Sequence, residues 1–198
     1  MEKSLNKILN GYQAFRAKYA SGDNSVMQSL ADRGQKPEVM VVSCCDSRVD
    51  PAVIFQCDPG DLFVVRNVAN IVPPFEKDEA HHGISAALEF GIEFLKVRHL
   101  ILLGHSCCSG IQMLFEGSSQ PNDFIAKWVS LIEKKPQPKD ADELARQALK
   151  QSYQHCLTFP WIHDRVQKTQ LIIHLWFFDV KSGQIFAYSP KEDTYKNL

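Results

Sequence analysis

No apolar run in this chain approaches the ~18 continuous residues of a membrane-spanning helix, so none is expected. The opening residues Met1-Glu2-Lys3-Ser4-Leu5-Asn6-Lys7 are polar and lack the apolar core of a signal peptide, which makes a reducing cytosol the expected compartment. An excess of either charge is also missing. Twenty-two Lys and Arg against 23 Asp and Glu leave a formal net charge of -1, with no basic block or stripe, which argues against a nucleic-acid partner. No Cys-x-x-Cys pair occurs, so a thioredoxin-like dithiol is disfavoured. There is no internal repeat, low-complexity tract or domain-scale linker. The 198 residues therefore read as one domain over 1–198, long enough to bury roughly 70% of its unfolded surface.

Within that domain the pattern predicts a helical arm over 1–34 and an α/β core over 35–198. Leu5, Ile8, Leu9, Tyr12, Phe15 and Tyr19 recur at three- and four-residue spacings, an amphipathic helix over about 2–20. Its apolar face suits either core packing or a partner subunit. A shorter helix over 25–33 stops at Gly34. Apolar, β-branched strands are expected at 39–43, 62–66 and 99–103, with a helix over 79–96 between the last two. Further helices are expected from Gly110, near 122–134, over 141–156 and from Pro160 to about Lys168. A hairpin of 171–180 with 184–188 closes the chain. Alternating strands and helices give a mainly parallel central sheet flanked by helices, with an antiparallel C-terminal edge.

Six cysteines stand at 44, 45, 57, 107, 108 and 156. In a chain of this size and compartment they point to metal or redox chemistry rather than a disulfide framework. The strand 39–43 runs straight into Cys44-Cys45-Asp46-Ser47-Arg48, and 99–103 into Gly104-His105-Ser106-Cys107-Cys108-Ser109-Gly110. Chemistry in an open α/β sheet sits beyond the carboxyl ends of its strands. Two strands delivering thiols and an imidazole to one edge predict a single metal site, and three soft ligands without an obvious fourth favour a catalytic zinc. Gly104 permits the turn into His105, and Gly110 relieves crowding where the next helix begins. Spacing alone leaves open which cysteine of each pair is the ligand.

Cys44-x-Asp46-Ser47-Arg48, Arg66-Asn67-Val68-Ala69-Asn70 and Gly104-His105-Ser106-x-Cys108 resemble the β-class carbonic anhydrases, in order and from about Gln35 to Tyr188. The resemblance implies reversible hydration of carbon dioxide to bicarbonate and a proton. It implies one Zn²⁺ per subunit on Cys44, His105 and Cys108, with Cys45 and Cys107 as non-ligands. Asp46 would orient the attacking water and Arg48 would hold Asp46 ionised. Should Arg48 release it, Asp46 could instead occupy the fourth zinc position.

Gln35 stands where the plant-like subtype has a bicarbonate-donating glutamine. Val41 replaces the tryptophan of the bicarbonate-inhibited subtype, which favours the open form. Gln35, Phe63, Phe90 and Gly110 are the implied substrate-binding residues; by the resemblance, Gln35 and the two aromatics would serve the zinc of a neighbouring subunit in a dimer or tetramer. Phe63 and Phe90 could equally be plain core. Hydrolysis of carbonyl sulfide or carbon disulfide, on the same fold and ligands, is the enzymatic alternative. A non-catalytic zinc or thiol-redox protein is the alternative from another class, and Gln35, Asp46 and Arg48 argue against it.

Overall fold

The computed structural model describes residues 2–78 and 80–198. Six strands form one sheet in the order β2-β1-β3-β4-β5-β6. They are β1 (Val39–Cys44), β2 (Leu62–Asn67), β3 (His99–His105), β4 (Ile172–Phe178), β5 (Ile185–Ser189) and β6 (Thr194–Asn197). The first four in that order are parallel; β5 and β6 return antiparallel. The central strands are apolar on both faces, as a parallel sheet covered by helices requires. Met40, Val41, Val42, Leu100, Leu102 and Leu103 are all fully buried.

Eight α-helices accompany the sheet among the described residues: α1 (Glu2–Tyr19), α2 (Val26–Arg33), α3 (Pro51–Ile54), α4 (Gly83–Glu89), α5 (Ser109–Glu116), α6 (Phe124–Val129), α7 (Ala141–Thr158) and α8 (Pro160–Gln167). None is long and apolar enough to cross a membrane. α7 starts on an Asp140 cap that accepts from the Glu143 N–H at 2.7 Å, and it buries Leu144, Ala145, Ala148, Leu149, Ser152 and Cys156 along one face. It packs so closely on β3 that a Cβ at Gly104 would lie 2.9 Å from Leu149 Cδ1. The turn into the site therefore needs a glycine for space.

Two differences from the expected elements have physical causes. The helix expected over 79–96 is α4 followed by a wide π turn at Phe90–Phe94; residue 79 lies outside the described residues. The buried Arg165 guanidinium donates to the Ile92 carbonyl and, at 3.2 Å each, to those of Val97 and Gln170, tying this turn to the loop before β4. The other difference is β6, whose Thr-Tyr-Lys-Asn sequence carries no apolar alternation; it is a polar edge strand held by pairing to β5.

The arm is a contrast to the core. Leu5, Ile8, Leu9, Tyr12 and Phe15 form the expected stripe along α1, yet they are 39–68% exposed. The end of α1 is tied down where Tyr19 donates to Asp58 and Lys18 Nζ lies 3.4 Å from the same carboxylate.

Candidate metal centre

β1 and β3 are neighbours in register, with Ser43 opposite Leu103, so Cys44 and the His105 loop emerge at the same sheet edge. Each element then contributes by local necessity. Cys44 is the last residue of β1, and His105 the last of β3. Cys107 takes a left-handed φ of 55°, which turns the chain so that Cys108 can cap α5. The ligand atoms of Cys44, His105 and Cys108 lie within 4.8 Å of one another, and all three residues are buried. The structure thus singles out one cysteine of each pair; Cys45 and Cys107 are exposed.

The donor set fits zinc. His105 Nδ1 lies 2.9 Å from the Ser106 carbonyl, which can only accept, so Nδ1 carries the proton and Nε2 is a bare lone pair. That Nε2 is buried and has no hydrogen-bond partner. The sulfurs of Cys44 and Cys108 are 3.9 Å apart. Two thiolates on a tetrahedral zinc at the usual bond length of ~2.3 Å are separated by about 3.8 Å. Cys44 is drawn down to about 4, chiefly by the Cys108 thiol, with burial opposing and the N–H groups of Asp46 and Ala69 assisting. Cys108 moves upward in turn, because it donates to Cys44 and is buried. The pair shares one proton, which a divalent cation displaces on binding.

Around the ligands the loops are cross-braced. Asp46, mostly buried, accepts from Arg48 Nε at 2.9 Å on one oxygen and from Nη2 at 2.7 Å on the other. This fork holds its carboxyl well below the usual carboxylate range. The same Nη2 donates to the Cys107 carbonyl at 3.0 Å, joining the β1 loop to the β3 loop.

Arg66 donates to the carbonyls of Cys44 and Asp46, each at 2.8 Å, and to Asp50 at 2.6 Å. It is a clamp on the loop, with its fork already engaged. Two further braces carry no sequence signal, since each joins elements far apart in the chain. Asp142 accepts from the Cys107 N–H at 2.7 Å, and Asp179 accepts from Ser106 Oγ at 3.0 Å.

Behind Cys44, Val68–Asn70 form a short 3-10 turn in which Ala69 and Asn70 take left-handed φ values of 65° and 47°. Such conformations cost non-glycine residues about 1–3 kcal/mol each and persist where surrounding structure imposes them. Here Asn67 brackets the turn through both backbone groups of Ile71, at 2.8 and 3.0 Å. Gly110, at the start of α5, touches it: a Cβ there would sit 2.6 Å from Val68 Cγ1.

The remaining candidates lie elsewhere. Phe63 is opposite Met40, four residues short of the Cys44–Asn67 pair, about 13 Å along the strand at ~3.3 Å per residue. Its ring is 5.8 Å from that of Phe90, which stacks in turn on Phe94. Gln35 is exposed before β1, and its side chain makes no hydrogen bond among the described residues.

A buried Cys-His-Cys centre at the carboxyl edge of a parallel sheet defines an α/β metalloprotein. The family model for carbonic anhydrase matches residues 39–185. Beta carbonic anhydrase 3 of Arabidopsis thaliana is 32% identical over 94% of this chain and 82% of its own length. A carbonic anhydrase of a Synechocystis strain is 29% identical over 93% of this chain and 71% of its own. Among solved structures, the β-carbonic anhydrase CcaA aligns over 98% of this chain and 100% of that one, at 26% identity and a TM-score of 0.86. A tetrameric β-carbonic anhydrase of Sordaria macrospora aligns over 94% of each chain, at 26% identity and a TM-score of 0.74. The chain belongs to the carbonic anhydrase family, in its β class.

Proposed function

We propose that the chain catalyses the reversible hydration of carbon dioxide to bicarbonate and a proton, with zinc held by Cys44, His105 and Cys108. The observation that carries this reading is the buried, partnerless His105 Nε2 facing two thiol sulfurs set 3.9 Å apart. When bound, the metal supplies a Lewis acid that brings the ionisation of water close to neutral pH. Asp46 stays ionised under its Arg48 fork, accepts a hydrogen bond from the attacking water and turns its lone pair toward carbon dioxide. Arg48 also fixes the distance between the two ligand loops through Cys107. With both Asp46 oxygens engaged by Arg48, the open form is favoured over ligation by Asp46. Val41 is buried where the inhibited subtype has tryptophan, and Arg66 is committed to the loop, both of which argue against an inhibitory bicarbonate site.

Gln35, Phe63 and Phe90 serve the site of a neighbouring subunit, and Gly110 lines the site of its own. Supporting this division, Phe63 lies far down the strand from Cys44, while Phe90 and Phe94 are exposed beside it. The exposed stripe of α1 supports a homo-oligomer with a dimer as its minimal unit. Six cysteines, all free, support a reducing cytosol.

Stopped-flow carbon dioxide hydration on zinc-loaded protein, from about pH 6.5 to 9, tests the reading. Activity rising smoothly through one ionisation is expected. Bound zinc without hydration at any pH overturns it, and collapse at neutral pH with recovery above overturns the open form.

A further inference from the structure

The left-handed turn behind Cys44 is held from outside by a residue to which the reaction assigns no part. Trp128, half-buried on α6, donates its indole N–H to the Val68 carbonyl at 2.7 Å. Val68 opens the turn, and the next residue, Ala69, donates its N–H to Cys44 Sγ at 3.4 Å. We propose that Trp128 is a positioning residue of the metal centre: by fixing the Val68 carbonyl, it holds the turn that aims the Ala69 N–H at the Cys44 sulfur. The inference rests on Cys44 being a metal ligand.

Three observations carry it. Ala69 and Asn70 are both left-handed without being glycine, so the turn does not take this shape unaided. The Asn67 bracket fixes the far end, at Ile71, and the indole anchors the near end from outside the turn, on the Val68 carbonyl. Gly110 has no side chain, so α5 abuts the turn closely through Val68 while Trp128 of α6 holds its carbonyl.

An N–H directed at a thiolate withdraws charge from the sulfur. The sulfur then donates less to the metal, which remains a better electrophile than two unassisted thiolates would allow. Cys44 has two such donors, Asp46 and Ala69, both at 3.4 Å. The Asp46 donor belongs to the loop clamped by Arg66, and the Ala69 donor depends on Trp128.

Cobalt(II) replaces zinc in the test because its sulfur-to-metal charge-transfer band reports charge on the thiolates. Wild type, Cys44→Ser, Trp128→Phe and Trp128→His are loaded with cobalt alone, and metal stoichiometry, the band and the rate of metal loss to a chelator are recorded. Trp128→Phe keeps the packing and removes the donor; Trp128→His retains a ring N–H. The expected result is one metal per chain in Trp128→Phe, a band moved to longer wavelength and a changed loss rate, with Trp128→His returned part of the way. A wild-type band in Trp128→Phe, with only a lowered melting temperature, overturns the proposal and assigns Trp128 to packing. One cobalt per chain with an undiminished band in Cys44→Ser overturns the metal-centre reading itself. Should Trp128→Phe not fold, amide exchange at Ala69 in Trp128→Leu, which also lacks the donor, decides. Exchange faster than wild type supports the restraint, and unchanged exchange refutes it.

Discussion

The carboxyl edge of the sheet and the N-terminal arm carry equally regular apolar patterns, yet they end in opposite states. Leu100, Leu102 and Leu103 lead to the ligands from positions of zero exposure, while Leu5, Ile8 and Tyr12 are mostly open to solvent. The pattern of α1 is a good helix face that the described residues leave largely exposed. Periodicity shows that a face exists; topology decides whether the same chain covers it. At the metal edge Asp46 and both ligand loops are cross-braced by Arg48 and Arg66, whereas the end of α1 is tied through Asp58.

The largest effects are expected at the braced edge. Cys44→Ser and Cys108→Ser are predicted to abolish zinc binding and hydration, while Cys45→Ser and Cys107→Ser keep one zinc per chain by metal analysis. The reverse pattern would exchange the ligand cysteines and break the assignment made from burial. Asp46→Asn removes the charge that Arg48 holds; kcat is expected to fall by about 10²–10⁴-fold with zinc retained, in stopped-flow assays. Because the Asp46 carboxyl lies far below neutrality, it is ionised throughout pH 6–9, and the rise of activity with pH should remain that of a single, different group.

Next come substitutions that weigh the two regions directly. Leu102→Ala should cost about 2–5 kcal/mol in denaturant unfolding, because a cavity opens in a fully packed strand. Ile8→Glu should change unfolding of the dilute chain by less than about 0.5 kcal/mol and instead shift the oligomer toward smaller species in sedimentation. Equal unfolding costs would mean that the arm folds onto its own chain.

The smallest effect concerns His174, whose Nε2 lies 3.1 Å from His99 Nδ1 beside Trp176. Burial, then His99, lowers its pKa, so the folded chain disfavours its imidazolium. Its contribution is whole above about pH 6.5 and is lost as pH falls below that value. His174→Phe should flatten the dependence of melting temperature on pH in that window.

Much of this was legible in the sequence because strand ends and soft ligands leave marks in order. The run from Val39 to Arg48 locates a strand and its chemistry together, and the gap from Cys44 to His105 is what two parallel neighbours with a crossover require. What was not legible depends on partners distant in the chain. Asp142 and Asp179 look like ordinary helix-start and turn aspartates until their bonds to Cys107 and Ser106 are seen. The left-handed Ala69 has no glycine to announce it. β6 escaped because an edge strand need not alternate, and the wide turn at Phe90–Phe94 because an uninterrupted helical pattern hides a change of pitch.

The ligand atoms come from the ends of two adjoining strands, 61 positions apart from Cys44 to His105. A metal ion there acts as a stitch through the middle of the sheet. A one-residue slip of β3 against β1 would turn His105 to the opposite face, so only the correct alignment can be stitched. Free zinc at a hundredfold its dissociation constant adds about 2.7 kcal/mol to the folded chain. For a protein of this size that corresponds to roughly 5–11 °C of melting temperature. The supply of zinc thereby sets how firmly the strands stay aligned, as well as how many sites can turn over.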